Sequence, residues 1–190
     1  MKTINNDVTN EIIINKSKFI GYLYKVNNIN EVNEILKKVK EKYNDATHIC
    51  YAYSLLNTKK ASDDGEPTGT AGIPILEVLN KNELVNVLAI VIRYFGGIKL
   101  GSGGLIRAYS NTIRDTLEKT KIKELKKGYL IKLTFDYTLN NLINNLIENY
   151  QVIEKEFSEQ ITITIKADET LLKRLDDINQ SYEIIKEIYL

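Results

Sequence analysis

The sequence predicts an α+β protein of two domains. Three observations support this: glycine is concentrated in one part of the chain, net charge reverses along it, and strand and helix patterns alternate. Eight of the ten glycines and both prolines lie between residues 65 and 104. Residues 1–127 contain 20 Lys and Arg against 14 Asp and Glu, whereas residues 128–190 contain 6 against 11. We expect a glycine-looped domain over 1–126 and a second domain over 127–190.

The bulk composition is that of a soluble globular protein. Hydrophobic residues make up 43% of the chain, charged residues 27%, and the net charge is +1. A single cysteine, Cys50, excludes an internal disulfide and favours a reducing compartment. The polar start of the chain does not resemble a secretory signal, and no apolar run reaches the roughly 18 residues of a membrane span. We expect a cytoplasmic protein without a membrane segment.

The first domain begins with three strands and a helix. Apolar spacing predicts strands over 11–15, 19–26 and 47–55, and a helix over 30–43 with Asn30 as its N-cap. In the third strand, His48 and Cys50 share one face because side chains alternate between the two sides of a strand.

Two glycine-rich stretches follow, which we call the first glycine loop (63–72) and the second glycine segment (96–104). Pro74 predicts a short helix after the first. The apolar, β-branched run 85–95 between them predicts a buried strand. A helix over 104–119 follows the second. The buried stripe of that helix is predicted to be Leu105, Tyr109, Ile113 and Leu117.

The second domain has a regular pattern. Its strands are predicted over 129–137, 152–157, 161–167 and 182–189, and its helices over 139–150 and after an Asp168 cap. The order βαββαβ is that of a ferredoxin-like domain. With no glycine loop, histidine or cysteine, this domain offers no evident chemistry.

The second glycine segment joins a strand to a helix, an arrangement suited to anions. Backbone N–H groups at a helix start favour phosphate, and glycines let the backbone form a concave nest. Arg93, Lys99 and Arg107 could add positive charge, and Ser102 a hydroxyl. The spacing is neither that of a P-loop nor that of a Rossmann fingerprint. A tight turn that packs a helix on a sheet explains the glycines equally well.

The first glycine loop contains three carboxylates, Asp63, Asp64 and Glu66. Oxygen ligands so close together could hold Mg²⁺. They could also pair with the arginines or solvate a turn, and an internal ion pair or hydrogen-bond role is the favoured interpretation. We therefore expect no metal and no cofactor.

Nucleophilic catalysis has little support in the sequence. His48 is the only histidine, so a Ser102 or Cys50 nucleophile would depend on it. Nothing in the sequence sets that geometry, and a buried structural role suits Cys50 better. One histidine and one cysteine are too few for a zinc site. We expect no catalytic residues.

These motifs resemble a known family. The matching segments are Lys16–Ile20, Thr47-His48, the first glycine loop with its Thr68 and Thr70, and Arg93–Tyr109. They resemble the signature of the IMPACT family, and the length resembles its bacterial YigZ-type branch of two-domain proteins. The resemblance covers residues from about 16 to about 115, nearly all of the first domain as bounded above.

The resemblance implies both fold and function. It implies a first domain with the left-handed βαβ fold of a ribosomal small-subunit domain, RNase PH and small-molecule kinases. It also implies a ferredoxin-like second domain similar to the last domain of elongation factor G. Eukaryotic members regulate translation by binding a protein partner of a stress kinase, and no enzymatic activity is attached to the resemblance.

Two functions are open. One is a non-catalytic binding protein that regulates translation through RNA, the ribosome or a protein partner. The alternative is an enzyme or nucleotide-binding protein that uses the same cleft for a phosphate-containing substrate. We expect His48, Asp64, Glu66, Arg93 and Arg107 to converge on one face of the first domain. The full set of expected binding residues is His48, Asp63, Asp64, Glu66, Thr68, Thr70, Arg93, Lys99, Ser102 and Arg107.

Overall fold

The computed structural model describes residues 1–190. The chain divides into two compact units, Met1–Glu124 and Leu125–Leu190, which we call the N-terminal and C-terminal units. Five α-helices combine with antiparallel sheets, which confirms the predicted α+β class. The division falls two residues before the boundary that the sequence suggests. Independent folding of the two domains stays a prediction.

The N-terminal unit is a five-stranded antiparallel sheet with helices on both faces. Its elements are β1 (Lys2–Ile4), β2 (Val8–Ile14), β3 (Ser17–Lys25), α1 (Ile29–Lys42), β4 (His48–Ser54), β5 (Lys59–Ser62), α2 (Gly72–Lys81), β6 (Val87–Tyr94), α3 (Gly101–Leu117) and β7 (Ile122–Glu124). The sheet order is β2-β3-β6-β4-β5, and β1 pairs separately with β7. Strands β3 and β4 both run antiparallel to β6, so β3–α1–β4 is a crossover between two strands of like direction.

Strand β6 is buried on both faces. Val87, Ala89 and Val91 belong to the core under α2 and α3, whereas Leu88 and Ile90 belong to the core under α1. This double burial explains the nearly continuous apolar run and confirms the buried strand. By the same alternation, the side chain after Ile92, that of Arg93, falls on the α2–α3 face.

The starts of all three helices of the N-terminal unit differ from the sequence prediction, and α2 begins at Gly72 rather than at Pro74. Asn28, not Asn30, caps α1, and its Oδ1 accepts a hydrogen bond from Glu31 N at 3.0 Å. Helix α3 starts at Gly101 rather than Gly104, so the last part of the second glycine segment is its first turn. Glycine lowers helix stability without forbidding helical angles, so composition alone placed this start too late. The predicted stripe of α3, Leu105, Tyr109, Ile113 and Leu117, is buried.

The strands β1, β5 and β7 were not predicted. Each is three or four residues long and contains lysine, so none shows a clear alternation. Strand β1 pairs with β7, which lies at the other end of the N-terminal unit in sequence, and Lys2 lies opposite Glu124. Such pairing depends on tertiary contacts rather than local pattern.

The C-terminal unit has the predicted ferredoxin-like arrangement. Its elements are β8 (Lys127–Phe135), a 3₁₀ turn (Tyr137–Leu139), α4 (Asn140–Ile147), β9 (Val152–Phe157), β10 (Ile161–Ala167), α5 (Glu169–Asp177) and β11 (Tyr182–Tyr189). The antiparallel sheet order β11-β8-β10-β9 confirms that layout. Asp168 caps α5 as predicted, accepting from Leu171 N at 2.9 Å. None of the helices combines the length and apolar character that a membrane crossing requires.

Candidate binding site in the N-terminal unit

Three neighbouring strands place a row of side chains under α2 and α3. Arg93 on β6 lies opposite Phe19 on β3 and opposite His48 on β4. The Arg93 guanidinium lies 5.4 Å from the centre of the Phe19 ring. Because opposite residues share a face of the sheet, the register brings this aromatic ring, arginine and histidine together.

Glu66 of the first glycine loop pairs with Arg93. Arg93 Nη1 donates to Glu66 Oε1 at 2.5 Å, and the Tyr109 hydroxyl donates to the same oxygen at 2.7 Å. Only 4% of the Glu66 side chain and 6% of the Arg93 side chain are exposed. Burial raises the pKa of Tyr109, and the nearby Cys50 and Glu66 add to the effect, so the hydroxyl stays a donor. The loop is thus tied to both β6 and α3.

His48 contacts the same loop. Its Nδ1 lies 2.8 Å from the Asp64 carbonyl oxygen, and its Nε2 lies 3.9 Å from Glu66 Oε2. A carbonyl can only accept, so Nδ1 is protonated and donates to it. The Asp64 carboxylate turns instead to the backbone, accepting from Ile49 N at 2.7 Å. Loop and strand β4 are therefore joined at two places.

Asp63 organises the rest of the loop. Its Oδ1 accepts from Ala71 N at 3.0 Å and Gly72 N at 2.8 Å, and its Oδ2 accepts from Gly69 N at 2.8 Å. Burial favours the neutral acid, but the three N–H groups outweigh it and lower the pKa of Asp63. A charged carboxylate thus holds the start of α2, where the helix dipole also favours negative charge.

Each of the three carboxylates of the first glycine loop therefore has its own internal partners. This is the ion-pair and hydrogen-bond role that the sequence favoured. Of the two threonines expected to bind a ligand, Thr70 is buried and its hydroxyl donates to the Pro67 carbonyl at 2.6 Å. Thr68 is exposed and its side chain makes no hydrogen bond within the protein.

Cys50 lies beneath this loop and has a buried side chain. Its thiol donates to the Asp63 carbonyl oxygen at 2.9 Å and lies 3.4 Å from the Tyr109 hydroxyl. Burial raises the pKa of Cys50 to about 12, so the thiol is protonated at neutral pH. A protonated, enclosed thiol is a poor nucleophile.

The second glycine segment begins with a close backbone contact. A Cβ on Gly96 would overlap the backbone of Lys16 and Ser17, so only glycine fits there. Gly96 N also donates to Ser17 Oγ at 3.1 Å. This glycine is thus explained by the packing of the segment against the β2–β3 turn.

A cavity of about 380 Å³ opens between the two glycine regions. Glu66 and Arg93 line it together with Phe95, Lys99, Ser102 and Leu105. Leu100 offers no side-chain cap to α3, whose first turn borders the cavity through Gly101 and Ser102. A larger cavity of about 510 Å³, bordered by Lys81, Arg114 and Ile122, contains none of the expected binding residues. We favour the smaller one because a buried charge pair and an uncapped helix start meet there.

Arg107 is not part of the charge cluster. His48, Asp64, Glu66 and Arg93 lie together, but Arg107 is exposed and forms no ion pair. The early start of α3 moves it from the expected first turn to the second. Its guanidinium instead reaches back along the helix, where Nη1 would lie 3.6 Å from a Cβ on Gly103.

Sequence reasoning missed two members of the site. Tyr109 was expected only as a core residue, although a buried tyrosine hydroxyl ordinarily needs a partner, and that signal pointed to a nearby acceptor. Phe95 was assigned to the end of the buried strand, yet it is 45% exposed and its ring centre lies 5.5 Å from the Arg93 guanidinium. No pattern in the sequence distinguished it from its buried neighbours.

Comparison with known proteins identifies the family. Residues 15–117 match the Impact N-terminal domain. IMPACT family member YvyE of Bacillus subtilis (strain 168) is 42% identical over 164 residues, covering 84% of this chain and 76% of the relative. An IMPACT family member of Haemophilus influenzae (strain ATCC 51907 / DSM 11121 / KW20 / Rd) is 38% identical over 144 residues, covering 73% and 70%.

The fold has a solved counterpart along nearly its full length. It is similar to the crystal structure of a hypothetical protein with a TM-score of 0.71 and 26% identity, covering 96% of this chain and 95% of the other. The family match and the two relatives confirm the resemblance that the glycine regions indicated: this chain belongs to the IMPACT family.

Proposed function

We propose that this chain is a non-catalytic binding protein that regulates translation by binding RNA through its N-terminal unit. The observation that supports this most is the mixed surface around the second glycine segment. Phe95, Ile98 and Ile106 are exposed there by 45%, 43% and 42%. Lys99 and Arg107 are exposed on the same segment and the helix that follows it.

Such a surface suits a nucleic acid better than a small polar substrate. Lysine and arginine attract phosphates, while an exposed aromatic ring can stack on a base. Residues 1–127 have a net charge of +6, which adds a favourable long-range field. RNA offers both features in one ligand: repeated negative charges and flat apolar faces.

The candidate nucleophiles argue against an enzyme. Cys50 is buried and protonated. Ser102 borders the cavity, but its hydroxyl makes no hydrogen bond to His48, whose Nδ1 is engaged by the Asp64 carbonyl. Covalent catalysis needs a nucleophile and a base within hydrogen-bond reach, and these side chains do not supply that pair.

Translation is proposed because of the family. The resemblance implies translational regulation for eukaryotic members, which act through a protein partner. Regulation of translation by binding RNA on the ribosome matches this surface, which is cationic and carries an exposed aromatic ring.

Binding of the full chain to short single-stranded RNAs of several sequences tests this function. Affinity should fall steeply between about 50 and about 200 mM salt. Exchanging Lys99 and Arg107 together for Ala should weaken binding to all sequences alike and reduce the slope of log K against log salt by about 0.7 per lost phosphate contact.

The matched control removes the same two charges elsewhere. Lys173 and Arg174, exposed on α5 of the C-terminal unit, exchanged together for Ala should leave RNA binding unchanged. Absence of RNA binding at low salt, or an equal loss in both double variants, would contradict the proposal. If the full chain then binds a protein partner but no RNA, the protein-binding version of the function is favoured.

A further inference from the structure

We propose that the cavity at the start of α3 is a pocket for a single nucleotide. The first turn of α3, with Ser102 and Lys99, would hold the phosphate, and the Phe95 ring would stack on the base. This pocket deepens the proposed function. It rests on that function in one respect, that the nucleotide is part of an RNA. A free mononucleotide has the same chemistry and is tested alongside.

The first reason is a glycine that the fold does not explain. Gly101 has a φ of +70°, and a Cβ on Gly104 would come within 3.0 Å of Leu100 Cβ. Gly103 has neither constraint, since a Cβ there would meet only the tip of Arg107 at 3.6 Å. Glycine within a helix is less stable than alanine, so Gly103 weakens α3 without any packing gain.

A bound phosphate would account for that glycine. The first N–H groups of a helix have no partner within the helix, and Leu100 provides no side-chain acceptor for them. A bare backbone at Gly103 lets a phosphate approach these N–H groups closely, and the helix dipole favours its charge.

Arg93 supplies a second and independent reason. Its side chain is 6% exposed and borders the same cavity. Nη1 is satisfied by Glu66, but Nε is buried and has no hydrogen-bond partner. Buried donors are nearly always paired, so the unpaired Nε shows that the protein alone does not fully satisfy this guanidinium, whose side chain borders the cavity.

The charges of the cavity suit one phosphate. Glu66 and Arg93 form an ion pair, so their charges offset each other. The uncompensated positive charge comes from Lys99 and the start of α3. A polyphosphate would bring more negative charge than these groups balance, whereas a single phosphate group would not.

The apolar wall suits a base. Phe95 is 45% exposed, and its ring is backed by the Arg93 guanidinium at 5.5 Å. Every base has a π-face that can stack on such a ring without sequence preference. A volume of about 380 Å³ lies in the range of small-molecule sites, roughly 300 to 1,000 Å³.

Amide NMR and titration calorimetry of the full chain would test the pocket. The probes are the four nucleoside 5′-monophosphates, the corresponding nucleosides, inorganic phosphate and a short single-stranded RNA. The monophosphates should shift the amide signals of Gly101–Gly104, and the nucleosides should bind more weakly. Gly103→Ala should weaken monophosphate binding about tenfold while the melting temperature stays equal or rises.

Two further variants separate the parts of the pocket. Phe95→Leu should weaken the binding of monophosphates about tenfold and leave the binding of inorganic phosphate unchanged, because only the base contacts the Phe95 ring. Asn33→Ala, on the exposed side of α1, is the matched control: it also raises helix propensity and should leave every probe unchanged.

The outcomes distinguish this inference from the proposed function. RNA binding that survives Gly103→Ala and Phe95→Leu, with no monophosphate binding, would overturn the pocket and leave the RNA function standing. Monophosphate binding without RNA binding would support the pocket and overturn the RNA function. Inorganic phosphate binding as tightly as the monophosphates, unaffected by Phe95→Leu, would overturn the assignment to a nucleotide.

Discussion

The two glycine regions lie on either side of one cavity, yet they differ in how their polar groups are used. In the first glycine loop, Asp63, Asp64 and Glu66 are all engaged by the protein itself. In the second glycine segment, Lys99 and Ser102 border the cavity, and the first turn of α3 has no cap. Satisfied groups fix a loop, whereas unsatisfied ones are available to a ligand.

A difference also appears between one glycine of each region, although Gly96 of the second glycine segment is fixed by close backbone packing as Gly72 is. A Cβ on Gly72 would lie 2.5 Å from Ser62 N, so this glycine is required by close backbone approach. Gly103 has no such neighbour. Glycine content alone therefore does not identify a binding loop; what matters is whether packing accounts for each glycine.

The largest expected effect tests the structural side of this comparison. Glu66→Gln would leave the buried Arg93 charge without its carboxylate, and we expect a loss of about 3–5 kcal/mol in the free energy of unfolding. Urea unfolding measures it. Arg107→Ala, which removes an exposed and unpaired arginine, is the control and should change stability by less than about 0.5 kcal/mol. Similar small changes in both would mean that the Glu66–Arg93 pair does not stabilise the loop.

The next prediction compares one glycine from each region. Gly72→Ala should destabilise the protein by about 1–3 kcal/mol, because the new methyl group meets the Ser62 backbone. Gly103→Ala should instead stabilise it by up to about 1 kcal/mol, because alanine favours the helix. Thermal unfolding of the two variants and the wild type measures both changes in stability. If both lower the melting temperature alike, Gly103 has a structural role and the contrast between the regions is lost.

The last prediction concerns Asp63, and its effect on stability depends on pH. Asp63→Asn keeps an oxygen for Ala71 N and Gly72 N but turns an amide towards Gly69 N, which should cost about 1–2 kcal/mol near pH 7. The folded protein lowers the pKa of Asp63. Its contribution is therefore present above the ordinary pKa near 4 and is lost as pH falls towards the lowered value.

Stability measured against pH checks this sign. The difference between the wild type and Asp63→Asn should be constant at neutral pH and should shrink below about pH 4. A difference that grows in acid would show that Asp63 is not the charged group that holds the start of α2.

Much of the fold followed from local pattern. The apolar, β-branched run 85–95 favoured a strand covered on both faces, and the spacing of Leu105, Tyr109 and Ile113 favoured a helix stripe. The six elements of the C-terminal unit were recognisable because their apolar periods change cleanly at Asp168 and at the turns between strands. These signals are local, since burial of one face imposes period 2 or 3.6 on neighbouring residues.

The sequence predicted only part of the site, and the reason is physical. The sequence supplied the residue types, among them His48, Glu66 and Arg93, and the family they indicate. It could not decide which carboxylate would pair with Arg93, because a buried ion pair joins residues far apart in the chain and leaves no periodic trace.

Tertiary structure decided the remaining features. Register across β3, β6 and β4 put Phe19, Arg93 and His48 in one row. Packing of α3 set its start at Gly101 and turned Arg107 outward. The sequence by itself determined the longer elements, the two-domain layout and the concentration of glycine. The fold decided the short strands β1, β5 and β7 and which polar groups are satisfied, because both depend on neighbours that only folding brings within hydrogen-bond distance.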